Sequence, residues 1–216
     1  MNSPLLVPIL ITVIYLTSIY MHLAKKNNGV AGLYALQSVA LVLLFVSSFL
    51  ANPTVLLFLV IVVSIIVKVI LAPRFFNRLV TRHKVKFTVS SYANTPVTLI
   101  VIMFITAFVN SDVFLPITDL SASNSTYVAL AIAAMLVSIF LMVNRKSALS
   151  QIVGVLSLEN SIVAFGIIAG LEQSALLQLG TLFDIFVWML VATVFVSMVY
   201  RHTGSLVVTT MRHLKD

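Results

Sequence analysis

The chain has 216 residues, of which 61% are hydrophobic and 9% charged, with a net charge of +7. So little polar surface excludes a soluble globule, and the lack of any cysteine excludes disulfides, iron–sulfur ligation and thiolate metal sites within this chain. The basic balance does not point to nucleic acid, because the lysines and arginines fall between apolar stretches rather than along one polar face.

Seven stretches carry enough apolar length to cross about 30 Å of hydrocarbon, which takes ~20 helical residues. In chain order they cover residues 4 to 24, 30 to 51, 53 to 72, 93 to 110, 127 to 143, 148 to 170 and 175 to 200. The first is expected to be a span rather than a cleaved signal peptide, since no positive residue precedes it and Lys25 and Lys26 follow it. Asn52-Pro53 and Pro73 are expected to mark helix boundaries, because proline lacks a donor and restricts the residue before it. Residues 81 to 92 are polar enough to form a short interfacial helix.

Alternating the loops between two sides tests this assignment. Lys25, Lys26, Arg74, Arg78, Arg82, Lys84, Lys86, Arg145, Lys146, Arg201, Arg212 and Lys215 all fall on one side, twelve of the thirteen Lys and Arg residues. The positive-inside rule makes that side cytoplasmic. The opposite loops carry Asp112, Asp119 and Glu172. The expected fold is therefore an all-α membrane protein with seven transmembrane helices, the N-terminus outside and the C-terminus cytoplasmic. Residues 1–112 make an N-terminal four-helix membrane part, 113–126 an outer loop, and 127–216 a C-terminal three-helix part with a cytoplasmic tail.

Three charges remain within the apolar stretches: Lys68, Glu159 and Asp184. A charge at the centre of a membrane helix costs about 2.5–3.5 kcal/mol on insertion scales, so each is by default a functional candidate. Glu159 lies about eleven residues, roughly 16 Å, from the start of its span, and Asp184 about nine residues, roughly 14 Å, from the start of the next. Desolvation favours the protonated form of such carboxyls, which makes both possible proton relay sites. Asn160, Ser161, Ser157, Gln178 and Thr181 stand nearby as hydrogen-bonding side chains. The competing reading is that each caps a backbone or packing defect, or pairs structurally with a neighbouring subunit.

Lys68 lies about six residues, roughly 9 Å, inside the cytoplasmic edge. It could snorkel to the headgroups, but helical side chains lean towards the N-terminus, which for this span points away from the cytoplasm. Gln37 has a similar depth on the second span, so a Gln37 to Lys68 contact is expected. The sequence from Tyr34 to Leu41 also echoes that from Leu156 to Val163, with Gln37 opposite Glu159, as in transporters built from internal repeats. His22, His83, His202 and His213 lack the spacing of zinc ligands and are expected to be solvated at the cytoplasmic boundary. Neither a metal nor a cofactor is expected in this chain, and no catalytic residue.

The run from about Asn144 to Met198, with Gln151, Gly154, Leu158-Glu159-Asn160 and Asp184, resembles the three-helix K-type subunit shared by complex I and Mrp antiporters. With Tyr34-Ala-Leu-Gln37-Ser38, Lys68-Val-Ile-Leu-Ala-Pro73 and His202-Thr-Gly204, nearly the whole chain is similar to the hydrogenase-4 component E family. That family belongs to membrane complexes related to group 4 nickel–iron hydrogenases. The resemblance implies a non-catalytic subunit of the inner, cytoplasmic membrane, set between an antiporter-like subunit and one anchoring a redox module. It further implies that Glu159 and Asp184 belong to a central axis carrying protons or sodium, with Gln37 and Lys68 as members of the same pattern. Asp184 departs from the K-type pattern as a shorter acid. A cation/proton antiporter subunit without a redox module, and a membrane scaffold held by buried charges, are the alternatives.

Overall fold

The computed structural model describes residues 5–76, 90–118, 125–169 and 183. Helix α1 covers Leu6–Leu23, α2 Asn27–Ala51 and α3 Val55–Ser64. The last runs on without a break into a π-helix, Ile65–Leu71. Helix α4 covers Thr95–Val109, a 3-10 turn Asp112–Phe114 leads into the short α5, Leu115–Thr118, and α6, Ser125–Asn144, precedes α7, Ala148–Ile168. Among the described residues five helices are long and apolar enough to cross a membrane, or six if the bent pair of α4 with the segment Asp112–Thr118 is one span. The seventh expected span, residues 175 to 200, lies outside the described residues, as do most of the expected interfacial helix and Asp119.

Helix boundaries follow local chemistry. Thr54 caps α3 by accepting from the Leu57 amide, and Asn94 caps α4 by accepting from the Val97 amide with Pro96 in the first turn, each satisfying an amide that the helix leaves open. Two expectations are corrected. Pro73 does not end the third span, which continues to Phe76: the Ala72 amide already bonds Val67 in the wider π register, so the chain passes the proline in a loosened ladder. The stretch expected as an outer loop after residue 112 is helical as far as Thr118, bent by 55° from α4. At 15 residues, α4 alone reaches only about 22 Å by helical rise.

Helices α1, α2, α7 and α6 pack in a ring, each against the next, with α3 on the outside of α2 and α4 against α6 and α1. The short links at 24–26 and 145–147 leave no room for anything but antiparallel neighbours. Small residues let α6 approach closely: Ala131, Ala133 and Ala134 are buried. Gly154 of α7 meets Met142 so tightly that a Cβ would lie 2.7 Å from its Cγ. Leucines, isoleucines and valines fill the inside of the ring, while Leu43, Phe58, Ile66 and Phe104 face outward. That outward apolar surface is what lipid-facing helices require.

Candidate functional site

The interior of this ring is not wholly apolar. Lys68, in the π segment beside α3, is buried, although Ile65, Ile66 and Leu71 around it are exposed. Its Nζ lies 2.9 Å from Glu159 Oε1 on α7 and donates to Asn160 Oδ1, also at 2.9 Å. Side-chain exposure is 2% for Lys68 and 19% for Glu159, so the ammonium is enclosed while the carboxylate keeps an open edge. The depths are compatible because the third span reaches Phe76, which puts Lys68 eight residues, about 12 Å, from its end. Lys68 does not snorkel.

Asn160 is the hub of the network. Its Oδ1 accepts from Lys68, while its Nδ2 donates to Gln37 Oε1 at 3.3 Å and to Ser38 Oγ at 3.1 Å. The expected Gln37 to Lys68 contact is thus bridged by Asn160 rather than direct. Gln37 Nε2 in turn donates to Ser18 Oγ at 2.9 Å and Ser157 Oγ at 3.0 Å, and Ser157 exchanges a hydrogen bond with Ser138 at 2.8 Å. Ser161 sits one turn above Ser157 and donates to its carbonyl. Gln37, Ser38, Ser18, Ser138, Ser157, Asn160 and Ser161 are all buried, and satisfying one another keeps so polar a core affordable in a low-dielectric interior.

Of the residues picked from sequence, Lys68, Glu159, Asn160, Gln37 and Ser157 come together, with Ser161 beside them. Asp184, Thr181 and Gln178 lie outside the described residues. Reading the sequence missed Ser18, Ser38 and Ser138, because a lone serine in a membrane helix usually bonds the carbonyl one turn back. Ser18 and Ser138 do that as well, to Ile14 and Ala134. One hydroxyl beside the network has capacity to spare: Ser64, one turn before Lys68, is buried with no hydrogen-bond partner among the described residues.

A second polar cluster occupies the end of the ring that carries Lys25, Lys26 and Lys146. Arg145 is buried rather than solvated. Its guanidinium donates to the carbonyls of Met21, His22 and Ala24, which are among the acceptors left open at the end of α1, and its charge complements the helix dipole there. Burial lowers this guanidinium below its ordinary value, to about 10, which still leaves it cationic at neutral pH. His22 is likewise not solvated as expected: the turn of α1 that Arg145 grips carries its ring into the bundle, stacked on Phe140 with centroids 4.9 Å apart. His83, His202 and His213 lie outside the described residues. The segment Ser90–Ala93 pairs with the turn after α6, through Tyr92 to the Asn144 carbonyl at 2.8 Å and Ala93 to Asn144 Oδ1 at 2.8 Å.

Neither a family model, nor a curated protein, nor a solved structure matches the chain. The fold and the site therefore define a class: an α-helical chain whose long apolar helices fit a multi-pass membrane protein, with a lysine–glutamate pair and an amide–serine network in its interior. Among the described residues no group of three or more His, Cys, Asp or Glu side chains could hold a metal ion.

Proposed function

We propose that this chain is a membrane-arm subunit of a hydrogenase-related, energy-converting respiratory complex, and that it helps move protons, or sodium, through its intramembrane charges. The reading places the protein in the inner, cytoplasmic membrane, N-terminus outside and basic end cytoplasmic, beside antiporter-like and redox-anchoring subunits. The chemistry of electron transfer then belongs to another subunit, in keeping with a sequence that has no cysteine for iron–sulfur ligation. The observation that carries the reading is the Lys68–Glu159 pair, 2.9 Å apart with only the carboxylate partly open. A charge pair enclosed by lipid-facing helices is expensive to keep for packing alone. Proton transfer within it or a change of partner at Glu159 redistributes charge locally, which is what coupling to ion movement needs.

The resemblance to the hydrogenase-4 component E family supports the same reading, with Glu159 as the first carboxylate of the axis and Asp184 as the second. The Ser64 hydroxyl, buried with no partner among the described residues, supplies hydrogen-bonding capacity one turn from Lys68. A scaffold in which the pair locks the third span to α7 draws its support from how fully Lys68 is satisfied. Glu159→Gln in the native complex separates the two: a relay loses ion translocation while the complex still assembles and keeps its redox activity, whereas a lock fails at assembly. Full translocation by an assembled Glu159→Gln complex would sink the relay.

A further inference from the structure

His22 is a buried polar side chain that the relay reading leaves unused. It is 7% exposed and sits one helical turn, about 6 Å of rise, from Ser18 on the same face of α1. Ser18 is joined to the interior by Gln37, 2.9 Å away, and approaches Ser157 Oγ at 3.4 Å. On the neighbouring helix, the carbonyl that holds the His22 ring belongs to Val137, the residue before Ser138, and Ser138 bonds Ser157. From His22 the polar groups thus lead, without leaving the ring of helices, to Ser18 and Ser138, then Ser157 and the amides of Gln37 and Asn160, and so to Lys68.

The hydrogen bond to Val137 fixes the chemistry of the ring. A carbonyl can only accept, so at 3.0 Å Nε2 is the nitrogen that carries the hydrogen, and in the neutral imidazole Nδ1 is then the bare acceptor. Nδ1 is buried and has no hydrogen-bond partner among the described residues. Buried polar atoms in folded proteins nearly always have a partner, and an imidazole with one nitrogen anchored and the other free is the arrangement that takes up and releases a proton without moving. The charged group beside it is Arg145, bonded to the His22 carbonyl, and Phe140 stacks on the ring.

We propose that His22 is the proton-exchanging group at the basic end of the bundle, passing protons between that side and the Lys68–Glu159 pair along the serine-lined interior. This rests on the relay reading given above. A proton arrives on Nδ1, the imidazolium holds it while Nε2 stays bonded to Val137, and the same proton leaves from Nδ1, so the ring returns to its starting tautomer. Serine hydroxyls donate and accept at one atom and can hand a proton on; the Gln37 and Asn160 amides donate and accept at different atoms and therefore orient water and hydroxyls.

The test uses the intact complex that co-purifies with the full chain, reconstituted into liposomes containing pyranine, with a valinomycin-clamped potassium gradient driving proton uptake. His22→Gln keeps a donor for Val137 but cannot be protonated, and is expected to slow uptake about tenfold or more, the scale of a lost proton-transfer group. His22→Ala is expected to be equally slow and to recover severalfold in added imidazole, which a purely structural role would not produce. Glu159→Gln is expected to be slow with or without imidazole. An unmodified rate in His22→Gln, a slow His22→Ala that imidazole leaves slow, or failure of both His22 variants to assemble overturns the proposal. A slow Glu159→Gln beside a fast His22→Gln removes the inlet alone; a fast Glu159→Gln, or no uptake by the unmodified complex, removes the relay reading itself.

Discussion

Glu159→Gln removes one charge and leaves the Lys68 ammonium among neutral acceptors, so its cost measures the pair directly. Removing one partner of a buried ion pair costs about 3–5 kcal/mol. Here the carboxylate is 19% exposed and Asn160 Oδ1 remains as an acceptor for the ammonium, so a loss of about 2–3 kcal/mol is expected, below that for a fully buried pair. Lys68→Met takes the ammonium away from the more open partner and should cost less, about 1–2 kcal/mol, because Glu159 keeps part of its hydration. The double variant has no stranded charge and should regain most of the sum, giving a coupling of about 1.5 kcal/mol or more in a double-mutant cycle. The assay is unfolding of the purified full chain in mixed micelles with rising SDS fraction, followed by circular dichroism. If the two single effects simply add, with coupling below about 0.5 kcal/mol, the ion pair does not act as a unit and the energetic argument for the site fails.

Asn160→Leu strips Lys68 of one acceptor and Gln37 and Ser38 of their shared donor, and should cost about 1–3 kcal/mol for each buried group left unsatisfied; the same unfolding assay reads it, and a neutral result would mean that Asn160 is not the hub. Gly154→Ala drives a methyl to 2.7 Å from Met142 Cγ and 3.1 Å from the Met142 backbone nitrogen, so α6 and α7 must separate, at about 1–3 kcal/mol. Combining it with Met142→Ala should recover most of the part of that loss due to Cγ, and no recovery would place the strain in the backbone. Arg145→Met leaves the Met21, His22 and Ala24 carbonyls without their cation, so amide exchange in the last turn of α1 should rise by about tenfold or more, as expected from losing a charge-assisted cap. Unchanged exchange there would show that the arginine does not hold that helix end.

Much of the layout was written into the order of residues. Apolar length and capping are local properties, so the helices found at Leu6–Leu23, Asn27–Ala51, Ser125–Asn144 and Ala148–Ile168 lie close to the spans expected from hydropathy and from the turns between them. The cost of burying charge is also local, and it singled out Lys68 and Glu159 before any partner was known. The exceptions arise where neighbours reset a local rule. Pro73 should have ended a helix, but the π register before it had already rearranged the backbone hydrogen bonds.

Partnership was decided only by the packing of helix faces. Lys68 and Glu159 are separated by 91 positions in the chain, and hydropathy, which assigns each residue a value irrespective of direction, holds nothing about which face of one helix meets which face of another. The same is true of Ser18 and Ser138, unremarkable in their own helices until both meet Ser157 and Gln37. Arg145 and His22 show the limit most plainly: one counts among the charges of a cytoplasmic turn and the other is expected to be solvated, yet the folded chain buries both. The open carbonyls at the end of α1 draw in a cation, and the packing of α1 against α6 sets the imidazole on Phe140 and the Val137 carbonyl.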